Sequence, residues 1–127
     1  MKPKILIVDD EVDILDIYSM KFGKEGFEVY KENNGKNAIR AIKEKKPNIV
    51  LLDIMMEGRD GYGIIKNLKE DEEVKNIPVI LFSNLGQKEN IEEGIMHGAV
   101  DYIPKANFTP EKVAERVKKI LNENSND

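Results

Sequence analysis

Two kinds of apolar pattern alternate along this chain of 127 residues. In the first, aliphatic residues follow one another without interruption, as in Ile5-Leu6-Ile7-Val8, Ile49-Val50-Leu51-Leu52 and Val79-Ile80-Leu81-Phe82. Such short continuous runs fit strands buried on both faces. In the second, apolar positions recur every three or four residues, the period of one helix face. The segment from about Glu11 to Lys24 carries Leu15, Tyr18 and Phe22 in this way. Further helices are predicted at about Lys36–Lys45, stopped by Pro47, at Tyr62–Lys69, and at Gln87–His97, closed by Gly98 as a left-handed cap. The last has the clearest start: Thr109 reads as N-cap, Pro110 as first helical residue and Glu111 lies at the positive dipole end, with Val113, Val117, Ile120 and Leu121 as the buried stripe. The polar tail Asn122–Asp127 is predicted to fray.

Two further strand segments read differently. Phe27-Glu28-Val29-Tyr30-Lys31 has charges within the run, and the segment around Tyr102 contains Pro104, whose missing N–H is tolerable only where no neighbour needs it. Both suit sheet edges. Strand and helix alternation argues for an α/β fold with a parallel sheet covered on both faces. With right-handed crossovers, the simplest arrangement is the doubly wound (βα)5 sheet of order 2-1-3-4-5, the flavodoxin-like topology. The chain leaves strand one in one direction and returns in the other as strand three, so a crevice opens between their carboxyl ends.

Bulk properties narrow the possibilities. The length suits one domain, taken as residues 1–127. Twenty Lys and Arg against 24 Asp and Glu give a net charge of −4 without a basic face for a phosphate backbone, so direct nucleic-acid binding is not expected. Absence of cysteine fits a reducing compartment, and the short apolar run after Met1-Lys2-Pro3-Lys4 is neither signal sequence nor membrane span, so the expected location is the cytoplasm, with no membrane contact.

The candidate chemistry lies where the strands end. Strand one runs into Asp9-Asp10, strand three into Asp53, strand four into Ser83, and strand five, through Tyr102, into Lys105. In a parallel sheet these side chains meet at one end. Carboxylates so close require a cation or a shared proton, and an all-oxygen donor set without His or Cys favours Mg²⁺, which takes one or two carboxylates together with a phosphoryl group. Taken singly, each residue has a plainer reading. Asp9-Asp10 could cap helix one, Ser83 could be a turn hydroxyl, Lys105 a solvated lysine and Tyr102 a half-buried edge aromatic. Asp53, directly after four buried aliphatics, has no such duty. A hydroxyl and an ammonium facing an acidic pocket could bind the oxygens of a transferred phosphoryl group.

With those residues in order, followed by Asp60-Gly61 after the string Leu51-Leu52-Asp53-Ile54-Met55-Met56, the whole chain resembles the receiver domains of bacterial response regulators, the family of the chemotaxis response regulator. The resemblance implies a phosphorelay switch: Asp53 is the phosphoacceptor, taking its phosphoryl group from a phosphohistidine of a partner kinase or histidine phosphotransfer protein. It implies Mg²⁺ held by Asp10, Asp53 and the Met55 backbone carbonyl, with Asp9 reaching the ion through water. Ser83 and Lys105 then bind phosphoryl oxygens, and Ser83 and Tyr102 form a packing switch in which Tyr102 passes from exposed to buried. The implied readout surface is helix four, strand five and helix five, acting on a downstream protein as a monomer or a phosphorylation-dependent dimer. Apart from its own phosphorylation and slow dephosphorylation, no enzymatic turnover is implied.

Several positions depart from the family pattern. Glu57 and Ala106 stand where proline is usual, the latter after a typically cis peptide, and Asn84 stands where a small residue is usual. Met55 and Leu85 occupy the two positions that tune dephosphorylation, and apolar side chains there should hinder the attacking water. Two other readings remain open from sequence: a receiver-like adaptor working without phosphorylation, and a Mg²⁺-dependent phosphohydrolase, which the lack of a cap domain and of a second acid beside Asp53 of the sort that would protonate a leaving group disfavours. His97, the only histidine, reads as solvent-facing or as a helix-dipole partner rather than a phosphoryl carrier.

Overall fold

The computed structural model describes residues 2–56, 59–84 and 88–125. Five strands, β1 (Lys4–Val8), β2 (Glu28–Glu32), β3 (Ile49–Leu52), β4 (Val79–Ser83) and β5 (Asp101–Pro104), pair in parallel in the order β2-β1-β3-β4-β5. The edges are the two segments whose composition a central strand would not tolerate. Side chains alternate across the sheet as strand geometry requires. Ile5 and Ile7 of β1, with Ile49 and Leu51 of β3, face one core layer, while Leu6 and Val8, with Val50 and Leu52, face the other.

Helices cover both faces. The first layer is closed by α1 (Val12–Lys24) through Leu15, Tyr18 and Phe22, and by α5 (Pro110–Ser125) through Val113 and Val117. The second is closed by α2 (Gly35–Lys45) through Ala38 and Ile42, and by α3 (Gly61–Lys69) through Ile64, Ile65 and Leu68. A further helix, α4 (Lys88–Met96), packs on β5. Burial of side chains such as Phe22 and Ile42 contributes roughly 1.5–3 kcal/mol each.

Local chemistry sets the boundaries. The Asn34 side chain caps α2 by accepting from the Lys36 N–H at 2.7 Å, and Lys46 ends the helix in a left-handed conformation just before Pro47. Thr109 caps α5 through the Lys112 N–H at 3.2 Å. Gly98, with φ at +113°, follows α4 as its composition predicts.

Two expectations need correction, and one feature was not foreseen. Strand two is shifted by a residue, since β2 begins at Glu28 and ends at Glu32. The polar tail does not fray at Asn122: α5 continues to Ser125, because no glycine or proline interrupts it. Between β3 and α3, Met55–Met56 and Arg59–Asp60 form a short antiparallel ladder that no apolar pattern announced. Gln87, expected to start the fourth helix, lies outside the described residues.

Three prolines stand at the amino ends of the central strands. Pro3 immediately precedes β1, Pro78 immediately precedes β4, and Pro47 lies two residues before β3. Their carbonyls still serve the sheet, Pro3 accepting from Glu28 N–H and Pro78 from Val50 N–H. An open concavity of about 670 Å³ at this end is lined by Pro3, Phe27, Pro47, Pro78 and Leu121, away from the acidic strand ends.

Gly61 joins α3 to the end of β3. Its N–H donates to the Ile54 carbonyl at 2.7 Å, and a Cβ there would stand 2.7 Å from both the Asp53 carbonyl oxygen and Ile54 Cα. Backbone atoms cannot yield as a flexible side chain can. Gly61→Ala is therefore expected to destabilise the fold by roughly 1–3 kcal/mol, read as a lower urea midpoint at unchanged slope. Unchanged stability would show that the approach is not tight.

Candidate functional site

Parallel register delivers the polar residues to one place. Val8 pairs with Leu52, so Asp9 and Asp53 leave adjacent strands at the same level, and the Asp53 N–H donates to the Val8 carbonyl at 2.9 Å. One ligand oxygen from each of Asp9, Asp10 and Asp53 lies within 4.8 Å of the others. Asp9 and Asp53 are buried, while Asp10 is exposed. Ser83, the last residue of β4, is also buried, and Lys105 immediately follows β5.

Lys105 provides the balancing charge. Its Nζ stands 2.7 Å from Asp9 Oδ2, 3.0 Å from Glu11 Oε2 and 3.3 Å from Asp53 Oδ2. The Glu11 and Asp53 contacts are hydrogen bonds, whereas the approach to Asp9 is a close ion pair outside hydrogen-bond angles. The lysine side chain is only 6% exposed, and its ammonium lies 5.6 Å from the centroid of the Phe82 ring. Burial pushes the Lys105 pKa down, but the carboxylates of Asp9 and Glu11, with the charge of Asp53, outweigh it and leave the value raised. The group stays an ammonium. For Asp9 the balance is opposite: burial raises its pKa from 3.8 to about 6, although Lys105 and the Glu11 N–H work to lower it.

The capping reading of Asp9 is partly right. Asp9 Oδ1 accepts from the Glu11 N–H at 2.9 Å, steadying the entry to α1, while Glu11 itself is the N-cap and its carboxylate reaches Lys105 instead of the helix. One Asp9 oxygen is thus engaged locally and the other faces the site. The plainer readings of Ser83 and Lys105, as an exposed turn hydroxyl and a solvated lysine, do not hold.

Tyr102 pairs in register with Leu81, and its ring belongs to the second core layer. It is 6% exposed, not the half-buried edge aromatic of the plainer reading, and packs beneath α4, where a Cβ on Gly94 would lie 3.6 Å from the ring. Its hydroxyl is buried and, among the described residues, has no hydrogen-bond partner within bonding geometry. Burial pushes the Tyr102 pKa up to about 12, with Tyr62 and Asp53 adding to the effect and the nearby Ser83 hydroxyl opposing it. The described peptide bonds, Lys105–Ala106 included, are all trans, and residues Lys105–Asn107 form a 3-10 turn.

Met55 lies in the short ladder two residues beyond Asp53, with its backbone paired to Asp60. Glu57 and Leu85 lie outside the described residues. Asn84 is exposed beside Ser83. His97 is not among the clustered acids: its ring lies tilted against Tyr62 with centroids 5.6 Å apart, and Nε2 lies 3.8 Å from Glu93, so it is more enclosed than a solvent-facing residue. Sequence reasoning missed two contributors. Glu11 was signalled only by following the acidic pair, and Phe82 by preceding Ser83.

Comparison with known proteins gives a consistent result. A family model described as response regulator receiver domain matches residues 5–118. The phosphate regulon transcriptional regulatory protein PhoB of Pseudomonas aeruginosa is 36% identical over 117 residues, covering 92% of this chain and 51% of the relative. The chain spans about half the length of the curated relatives it matches. Among solved structures, the receiver domain of the Francisella response regulator 1452 superposes with a TM-score of 0.89 at 30% identity, covering 97% of this chain and 99% of the other. A CheY-like response regulator receiver domain protein from Methanospirillum hungatei JF-1 gives 0.91 at 25% identity, with 99% and 98% covered.

The raised pKa of Asp9 has a measurable consequence in metal-free protein. Between about pH 4 and about pH 6 the unfolded chain has lost the proton that folded Asp9 retains, so at this group the folded state binds more protons and the contribution of Asp9 to stability falls as pH rises. A loss on the order of 2 kcal/mol across that window is expected. Asp9→Asn should flatten the slope in denaturant titrations at several pH values. An unaltered slope would assign it to another group.

Proposed function

Because the chain belongs to the response regulator receiver domain family, we propose that it works as the phosphoacceptor switch of a two-component or phosphorelay system, with Asp53 as the acceptor. The observation that supports this most directly is the convergence of buried Asp53 with Asp9, Asp10 and the Lys105 ammonium at the carboxyl end of the sheet. Three carboxylates with oxygens within 4.8 Å of one another, in an all-oxygen donor set, suit a hard divalent ion. Asp10, Asp53 and the Met55 carbonyl would hold Mg²⁺, with Asp9 acting through water. Bound there, it supplies the positive charge that screens an anionic nucleophile from an anionic phosphoryl group.

In the transfer, a carboxylate oxygen of Asp53 attacks the phosphorus of a partner phosphohistidine. The new O–P bond forms as the P–N bond breaks, and the electron pair returns to the imidazole nitrogen. Lys105 and Ser83 bind the phosphoryl oxygens, the first by charge and the second by its hydroxyl proton. Ser83 drawn toward the phosphoryl group leaves room for the Tyr102 ring, whose buried position here is the one that phosphorylation is expected to favour. The two tyrosine positions need differ by only a few kcal/mol for the modification to invert their populations.

The partner on the donor side is a histidine kinase or histidine phosphotransfer protein. The effect passes through α4, β5 and α5 to a downstream protein, with a phosphorylation-dependent dimer as one form of that contact. The relatives named as transcriptional regulators are about twice this chain's length, so control of transcription belongs to the relatives. No described helix is long and apolar enough to cross a membrane, which is compatible with action in the cytoplasm.

Two experiments test the reading. Incubation with acetyl phosphate and Mg²⁺ should add the mass of one phosphoryl group to the native chain and none to Asp53→Asn. Labelling of that variant, or failure of the native chain to label without other donors, would defeat the assignment. The apolar pair Met55 and Leu85 should give a long-lived acyl phosphate, and Met55→Asn is expected to speed its decay several-fold, roughly the effect of about 1 kcal/mol on a barrier. An equal rate in variant and native chain would remove Met55 from the dephosphorylation path.

A further inference from the structure

Glu11 has no place in the phosphoryl chemistry described above, yet its carboxylate joins the same ammonium as two of the acids. An ammonium has three N–H donors, and here three carboxylates surround it: Asp9 at 2.7 Å, Glu11 at 3.0 Å and Asp53 at 3.3 Å. Their settings differ. The side chains of Asp9 and Asp53 are 1% and 7% exposed, fixed at strand ends, whereas that of Glu11 is 51% exposed on the N-cap of α1. Only Glu11 can swing into water without leaving a buried charge unpaired, because loss of a partner costs most where solvent cannot replace it.

We propose that Glu11 is a positioning residue that holds the Lys105 ammonium over the acidic crevice in the unmodified protein and competes with the phosphoryl group for it. The inference rests on the phosphoacceptor reading of Asp53. When Asp53 takes a phosphoryl group its carboxylate charge passes to the phosphoryl oxygens; Lys105 keeps Asp9, turns from the Asp53 carboxylate to those oxygens and gives up its exposed partner, so the Glu11 carboxylate is released into solvent. The start of α1 is then freed from the β5–α5 connection to which this contact ties it across 94 residues of sequence. Glu11 thereby opposes the modified state: an ammonium held toward Glu11 at 3.0 Å is drawn away from the phosphoryl oxygens.

The test uses Mg²⁺ and beryllofluoride, a non-covalent phosphoryl mimic, titrated into the full chain and followed by backbone amide NMR. Glu11→Gln is expected to bind the mimic about three- to five-fold more tightly, the upper range for a half-exposed ion pair. The gain should vanish in the Lys105→Met background, since it arises from competition for that ammonium; a gain that persists there would indicate simple repulsion by Glu11 and overturn the proposal. A second readout needs no substitution. The side-chain carboxyl resonance of Glu11 in the native chain should move toward its free-solvent position as beryllofluoride binds. A native chain that binds the mimic with that resonance unmoved, or a Glu11→Gln variant of unchanged affinity, sinks this inference alone. A native chain that does not bind the mimic sinks the phosphoacceptor reading and this inference with it.

Discussion

Like charges gathered at the end of a parallel sheet repel, and this molecule depends on keeping a positive group among them. The ammonium of Lys105 does so in the structure described here, with carboxylates at 2.7, 3.0 and 3.3 Å. The lysine follows β5 and two of the acids follow β1 and β3, so its side chain must cross the end of β4 to reach them. The Phe82 ring is the surface it passes, 5.6 Å from the charge. A flexible aliphatic stem over an aromatic face keeps the head group directed without fixing it rigidly.

The same arrangement divides the acids into two kinds. Asp9 is enclosed enough that burial raises its pKa despite an adjacent cation. Asp10 and Glu11 reach solvent and can change partners at little cost. A site built from fixed and exchangeable carboxylates can change its electrostatics without moving the sheet beneath it, and this is the property a reversible covalent mark requires.

The sheet order and the strand-end residues were legible in the sequence because both follow from burial. A strand covered on two faces has no room for the charges found in β2 or the proline found in β5, and no reason to end in Asp53 unless that end has another role. What was not legible depends on geometry that no local pattern records. The ladder between Met55–Met56 and Arg59–Asp60 is made by backbone pairing. The extension of α5 to Ser125 reflects the absence of a stop signal rather than the presence of a buried stripe. Glu11 finds Lys105 only because α1 starts beside the carboxyl end of β1, a neighbourhood fixed by the whole topology. The buried setting of Tyr102 follows from α4 packing on β5, where a Cβ on Gly94 would lie in van der Waals contact with the ring.

The prolines at the opposite end of the sheet have their own consequence. Pro3, Pro47 and Pro78 restrict the chain as it enters three central strands, and the turns there have little conformational choice. Rigidity is concentrated at the base, and the adjustable side chains stand at the top. Substitutions among the side chains at the acidic end therefore leave the proline-restricted entries to β1, β3 and β4 unaltered.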